Sequence, residues 1–66
     1  MLTVIVNGTP ATVAADSSVR DLVTALELPD QGIAVALDGE VVPRVKWNTL
    51  LHNDSEIEIV TAVQGG

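Results

Sequence analysis

The sequence predicts an α+β domain of two layers, with one helix packed across one face of a mixed sheet of four to five strands. Three observations carry this. Two apolar, β-branched stretches are each broken by a dipeptide suited to a tight hairpin, Asn7-Gly8 and Asp38-Gly39. One segment has the period of a helix with one apolar face. A late stretch, "SEIEIVTAV", alternates as a half-buried strand does. The element order read from these is ββαβββ.

Each element has a local cause. "LTVIV" is rich in β-branched residues, and Asn-Gly tolerates the positive φ angles of a type I′ turn. Pro10 cannot donate to a ladder, which places the second strand at a sheet edge. In "DSSVRDLVTALELPDQG", Ser18 and Asp21 have capping-box spacing, with Asp in place of the usual Glu or Gln. Val19, Leu22, Val23 and Leu26 fall at i, i+3, i+4 and i+7, giving a helix of about ten residues with one apolar face. Pro29, Asp30 and Gly32 are read as its closing turn. "IAVALDGEVV" is the second hairpin. "PRVKWNTLLHND" lacks a strand period and reads as a crossing with one helical turn near Trp47–Leu51, where Trp47, Leu50 and Leu51 would close the core. Ile57 and Ile59 then face inward, with Glu56 and Glu58 opposite.

Composition narrows the function. Sixty-six residues make one domain, and a chain of that size buries only about 60% of its unfolded surface. With no cysteine, neither disulfides nor thiolate–metal sites staple it, so packing of the 47% hydrophobic residues must suffice. No apolar run reaches the ~20 residues of a membrane span and no signal peptide is visible, so the expected location is cytoplasmic. The net charge is −6, and Arg44 and Lys46 are the only close basic pair. That argues against nucleic-acid binding and for a basic protein surface as partner.

Side-chain chemistry of an enzyme is missing from the pattern. His52 is the only histidine and precedes a turn-like "NDS". Ser17 and Ser18 serve the helix start and Ser55 a turn. "NDSE" lacks the alternating oxygen ligands of a calcium loop, and no Gly-rich loop joins a strand to a helix. A docking surface is a better reading. If Leu2, Val4 and Val6 face the helix, Ile5 points through the other side of the sheet, as does Val60. With one helix, nothing in the chain covers that face, and Ile5, Val60 and Ala62 would form a docking patch, with Arg44 assigned to the same partner contact.

The remaining chemistry lies in "VTAVQGG". Residues 1–62 are read as the folded domain and 63–66 as a flexible tail. A terminal carboxylate is ionised and a poor electrophile at neutral pH, so reaction there requires activation by another protein. Glycine suits such a step because no Cβ crowds the reacting carbonyl and the backbone bends freely in a narrow channel.

Taken together, the chain resembles the ThiS-type sulfur carriers of thiamin thiazole biosynthesis, small proteins of the ubiquitin-like β-grasp fold. The similarity runs from "VNG" through "TVAADSSVRDLVTALELP" and "GIAVALDGEVVPR-x-x-W" to the Gly-Gly ending. The resemblance implies that an E1-like adenylating enzyme uses ATP and Mg²⁺ to convert the Gly66 carboxylate into an acyl-adenylate. Sulfur from a persulfide donor then gives a thiocarboxylate, which thiazole synthase consumes. Gly66 would carry the chemistry, Gly65 would give access, and Val63 and Gln64 would form the arm. The protein would be a carrier and not an enzyme, with no cofactor or metal of its own. A small subunit of molybdopterin synthase and a ubiquitin-like protein modifier are the alternative readings.

Overall fold

The computed structural model describes residues 1–29 and 31–61. The readings placed on Asp30, Ala62, Val63, Gln64, Gly65 and Gly66 lie outside the described residues.

Five strands form one sheet: β1 (Leu2–Val6), β2 (Thr9–Val13), β3 (Ile33–Leu37), β4 (Glu40–Val41) and β5 (Glu56–Thr61). Their spatial order is β2-β1-β5-β3-β4, so β5 is central. It lies parallel to β1 and antiparallel to β3. Both hairpins turn as the dipeptides predict. Asn7 and Gly8 have φ of 50° and 83°, and Asp38 and Gly39 have 50° and 88°, the left-handed pair that matches the twist of antiparallel strands. Pro10 sits on edge strand β2 opposite Ile5, where its missing N–H costs no ladder bond.

The helix α1 (Val19–Ala25) is shorter than its apolar period suggests. Its start is the predicted capping box: Ser18 Oγ accepts from the Asp21 N–H at 3.2 Å, and Asp21 Oδ2 accepts from the Ser18 N–H at 2.9 Å. Its end comes at Glu27, not at Pro29 or Gly32. Glu27 has φ of 57°. Its N–H donates to the Thr24 carbonyl at 3.0 Å, and the Leu28 N–H donates to Val23 at 3.2 Å. These are the two bonds of a Schellman stop, with a non-glycine residue in the left-handed position. Leu26 therefore becomes the helix cap at the rim and is 41% exposed, while Leu28 packs against the core.

The crossing between β4 and β5 also differs from expectation. Its helical turn is a 3₁₀ turn at Arg44–Lys46, ahead of the predicted Trp47–Leu51, and it begins directly after Pro43, whose backbone is extended. Beyond it the chain runs along the start of α1: the Val19 N–H donates to Thr49 at 3.0 Å and the Leu51 N–H to Ser17 at 2.8 Å. Leu50 forms a bridge with Ser18 here. Successive side chains on an extended backbone point to opposite sides, so only one of two adjacent leucines can enter the core. Leu51 is buried and Leu50 is 60% exposed.

The core lies between the sheet and α1. It comprises Val4, Val35 and Ile57 from the strands, Val19, Leu22 and Val23 from the helix, and Trp47 and Leu51 from the crossing. Trp47 closes one end, donating from Nε1 to the Val42 carbonyl at 3.0 Å, with the Arg20 guanidinium 5.4 Å from its ring centre. Two serines are buried with the apolar residues. Ser55 Oγ accepts from the His52 N–H at 2.9 Å, and among the described residues no buried side-chain polar atom lacks a partner.

Candidate docking face and strand β5

The sheet has one face against α1 and one open face. Register decides which residues share the open one. Ile5 lies beside Pro10 on β2 and Glu56 on β5. Further along β5, Glu58 lies beside Ala36, which in turn lies beside Val41. Val60 lies beside Ala34. Ile5 and Val60 are thus on the same face but not in one cluster. Val60 is four positions past Ile5's neighbour Glu56, about 13 Å along the strand, with Glu58 between. Ile5 is half-buried, whereas Val60 is 62% and Val41 74% exposed.

The apolar surface beside Val60 is therefore built with Ala34, Ala36 and Val41 from the second hairpin, and Glu56 and Glu58 place carboxylates among these groups. Val41 was readable in principle: the Asp38-Gly39 turn fixes its register opposite Ala36, and Ala36 shares a face with Glu58. Arg44 opens the 3₁₀ turn after β4 and is exposed; it belongs to no strand, so sheet register does not relate it to Ile5 or Val60.

Three further features surround the sheet. A shallow groove of about 230 Å³ lies beside β4, lined by Leu37, Val41, Val42, Pro43, Lys46 and Thr49 among others. Small-molecule sites span about 300–1,000 Å³, so this one is under size for a cofactor. Among the described residues, no group of three or more His, Cys, Asp or Glu is arranged to hold a metal ion. None of the described helices is long and apolar enough to cross a membrane.

His52, the chain's single histidine, is exposed and ties the loop before β5 to the second hairpin. Its Nε2 is 3.0 Å from Asp38 Oδ2 and its Nδ1 is 3.0 Å from the Asn53 carbonyl. Both ring nitrogens face acceptors, an arrangement completed only by the doubly protonated ring. The Asn53 carbonyl first, and Asp38 with it, raise the His52 pKa above its ordinary value. Asp38 is held below the ordinary carboxylate range, chiefly by the Glu56 N–H donating to its Oδ1 at 2.9 Å, with His52 adding to the effect against some desolvation.

Asn7 does more than turn the first hairpin. Its N–H donates to the Ile57 carbonyl at 2.8 Å. Its side-chain Oδ1 accepts from the Ile59 N–H at 2.8 Å and its Nδ2 donates to the Ile59 carbonyl at 3.2 Å. Asn-Gly between strands signals a turn and carries no sign of this second set of bonds.

Comparison with known proteins agrees with this geometry. The chain is similar to the crystal structure of a thiamine biosynthesis protein (ThiS) from Geobacter metallireducens, at 30% identity and a TM-score of 0.84, covering 98% of this chain and 100% of that one. It is also similar to a solution NMR structure of a thiamine biosynthesis protein from the same organism, at 30% identity and a TM-score of 0.79, covering 98% and 88%. No curated protein matches the chain. The single helix and five-stranded mixed sheet are the ubiquitin-like β-grasp fold of those structures. The ThiS family model matches residues 4–66, and with nearly the whole sequence and the whole fold accounted for in this way, the chain belongs to the ThiS family.

Proposed function

We propose that this protein is a sulfur carrier in thiamin biosynthesis and that the Gly66 carboxylate is the group that carries the sulfur. The observation that supports it most is the span of the family match, which runs through Gly65 to Gly66 and so includes the residues with the reactive chemistry. A second support is topological. Those residues follow β5, whose last described position, Thr61, is paired with Ile33 in the sheet.

The chemistry follows from the weakness of a carboxylate as an electrophile. In the active site of an E1-like adenylating enzyme, an oxygen of the Gly66 carboxylate attacks the α-phosphorus of ATP. Pyrophosphate leaves, and an acyl-adenylate forms. The terminal sulfur of a protein persulfide attacks the acyl carbon and AMP departs with the C–O electrons. Cleavage of the resulting S–S bond by a second thiol leaves the Gly66 thiocarboxylate and a disulfide. Thiazole synthase then accepts the sulfur. ATP and Mg²⁺ belong to the adenylating partner, and this chain acts as a cosubstrate and not as a catalyst. Gly65 gives access and Val63 and Gln64 supply the arm. Ile5, Val60, Ala62 and Arg44 contact the partner, with Glu56 and Glu58 favouring a basic surface there. A cytoplasmic location fits partners of this kind.

The test is ATP–pyrophosphate exchange with the cognate adenylating enzyme. Gly66→Ala places a methyl group beside the carboxylate, and a misplacement of ~1 Å at a reacting centre costs about a hundredfold in rate. Deletion of Gly66 withdraws the carboxylate by about 3.3–3.6 Å and abolishes productive transfer. Both variants retain the wild-type melting temperature, since the core lies within residues 4–57. Full pyrophosphate exchange by the deletion variant overturns the proposal. An intact mass showing one terminal oxygen replaced by sulfur supports the carrier, whereas an isopeptide bond to lysine favours the modifier reading.

A further inference from the structure

The bonds of Asn7 have a consequence for the end of β5. In a parallel ladder, residue 7 would take the Ile57 carbonyl with its N–H and offer its own carbonyl to the Ile59 N–H. The first bond is present at 2.8 Å. The second cannot be made by the backbone, because at Asn7 the chain turns at φ of 50° toward β2. The side chain replaces it: Oδ1 takes the Ile59 N–H at 2.8 Å, and Nδ2 satisfies the Ile59 carbonyl at 3.2 Å. One carboxamide thus continues β1 for two further ladder bonds after β1 itself has ended. Without it, among the described residues the backbone of β5 from Ile59 onward is paired only with β3, through the Ile59, Val60 and Thr61 pairings.

We propose that Asn7 is a positioning residue for the reactive end of the chain: by clamping Ile59 it fixes the base from which residues 62–66 depart. The inference rests on the carrier reading above and assigns that reading a residue outside the tail. Seven residues separate Ile59 from Gly66, an extended reach of about 25 Å. A strand end released at Ile59 adds residues to that tether and frees its origin, which lowers the effective concentration of the carboxylate at a docked partner.

Asn7→Gly is the informative variant. Gly-Gly keeps a type I′ turn and removes only the carboxamide. Asn7→Asp retains an oxygen for the Ile59 N–H but sets a second oxygen against the Ile59 carbonyl, so it should rescue in part. Amide hydrogen exchange is measured at Ile59 to Thr61 relative to Val4 and Val35, alongside melting temperature and pyrophosphate-exchange kinetics with the adenylating enzyme. In Asn7→Gly the Ile59 amide should exchange at least about tenfold faster than in the wild type, equal to ~1.4 kcal/mol of local protection. The kcat should fall by about threefold or more with KM within about twofold, and Asn7→Asp should lie between. Unchanged protection at Ile59 overturns the clamp. Faster amide exchange with unchanged kcat overturns its positioning role, and so does a change confined to KM, which would mark docking instead. If the unaltered protein supports no pyrophosphate exchange, the carrier reading falls and the positioning role with it, while the Ile59 amide still reports whether the clamp exists.

Discussion

Replacing Trp47 with Phe tests how much of this small domain depends on one side chain. Trp47 is 2% exposed and is the only aromatic residue in the chain. The change removes about 50 Å² of buried ring, or ~1.2 kcal/mol at ~25 cal/mol/Å². It also removes the Nε1 donor and leaves the half-buried Val42 carbonyl without that bond, worth about 1–1.5 kcal/mol. The contact with Arg20 weakens on a smaller ring, by about 0.5 kcal/mol. The sum is about 3 kcal/mol, against a total stability of roughly 3–10 kcal/mol for a domain of this length. At about 7 °C per kcal/mol, the melting temperature should fall by about 20 °C. Far-UV circular dichroism reads it in both proteins. Arg20→Ala isolates the ring contact and should cost only ~0.5–1 kcal/mol. A fall of less than about 5 °C for Trp47→Phe would refute the claim that this indole closes the core.

Three other outcomes follow from single residues. Glu27→Gly should stabilise by about 0.5–1 kcal/mol in urea unfolding, because it relieves a left-handed residue at φ of 57° by more than it frees the unfolded chain; a loss would show that the Glu27 side chain contributes more than its backbone costs. His52 has a raised pKa, so its contribution is complete below the ordinary histidine value of ~6.5 and is lost as pH rises through the folded value, while that of Asp38 is lost as pH falls through its lowered one; His52→Gln should flatten the stability loss on the neutral-to-alkaline side, and an unchanged profile would remove the clasp. Val60→Asp should leave the melt nearly unchanged, since Val60 is 62% exposed, yet weaken titration calorimetry binding to the adenylating enzyme; unchanged affinity would take Val60 off the docking face.

Elements whose cause is local were legible in the sequence. Asn7-Gly8 and Asp38-Gly39 specify their turns through backbone sterics alone, and the Ser18–Asp21 box spans three residues. The helix end was not legible, because Glu27 is a poor left-handed residue and is held there by the bonds to Thr24 and Val23. Choosing Leu51 over Leu50 for the core required knowing that Thr49–Leu51 runs extended beside α1. The open sheet face was predicted by parity along each strand, but parity does not fix neighbours across strands. That is why Ile5 and Val60 share a face and yet lie about 13 Å apart.

The topology also bears on why a reactive end would follow β5 and not another strand. An edge strand has a ladder on one side only, and its terminal residues open at little cost. β5 is bonded on both sides, to β1 and to β3, and Asn7 carries the β1 side to Ile59. On the carrier reading, this matters because docking and chemistry are done by different parts of one chain. If Val60 and its neighbours bind the partner as proposed, the Gly66 carboxylate would react at an effective concentration set by the tether between them. The five-residue span from Thr61 to Gly66 reaches about 17 Å, which on that reading would confine the carboxylate to a small volume around the docked strand. Confinement is useful only if the tether's origin is fixed relative to the docking face. On the proposed docking face both are the same strand: Val60 is one position past the Ile59 clamp. A longer tether to Gly66 would lower the effective concentration and a frayed β5 would blur its origin; on the carrier reading, a doubly bonded central strand guards against the second.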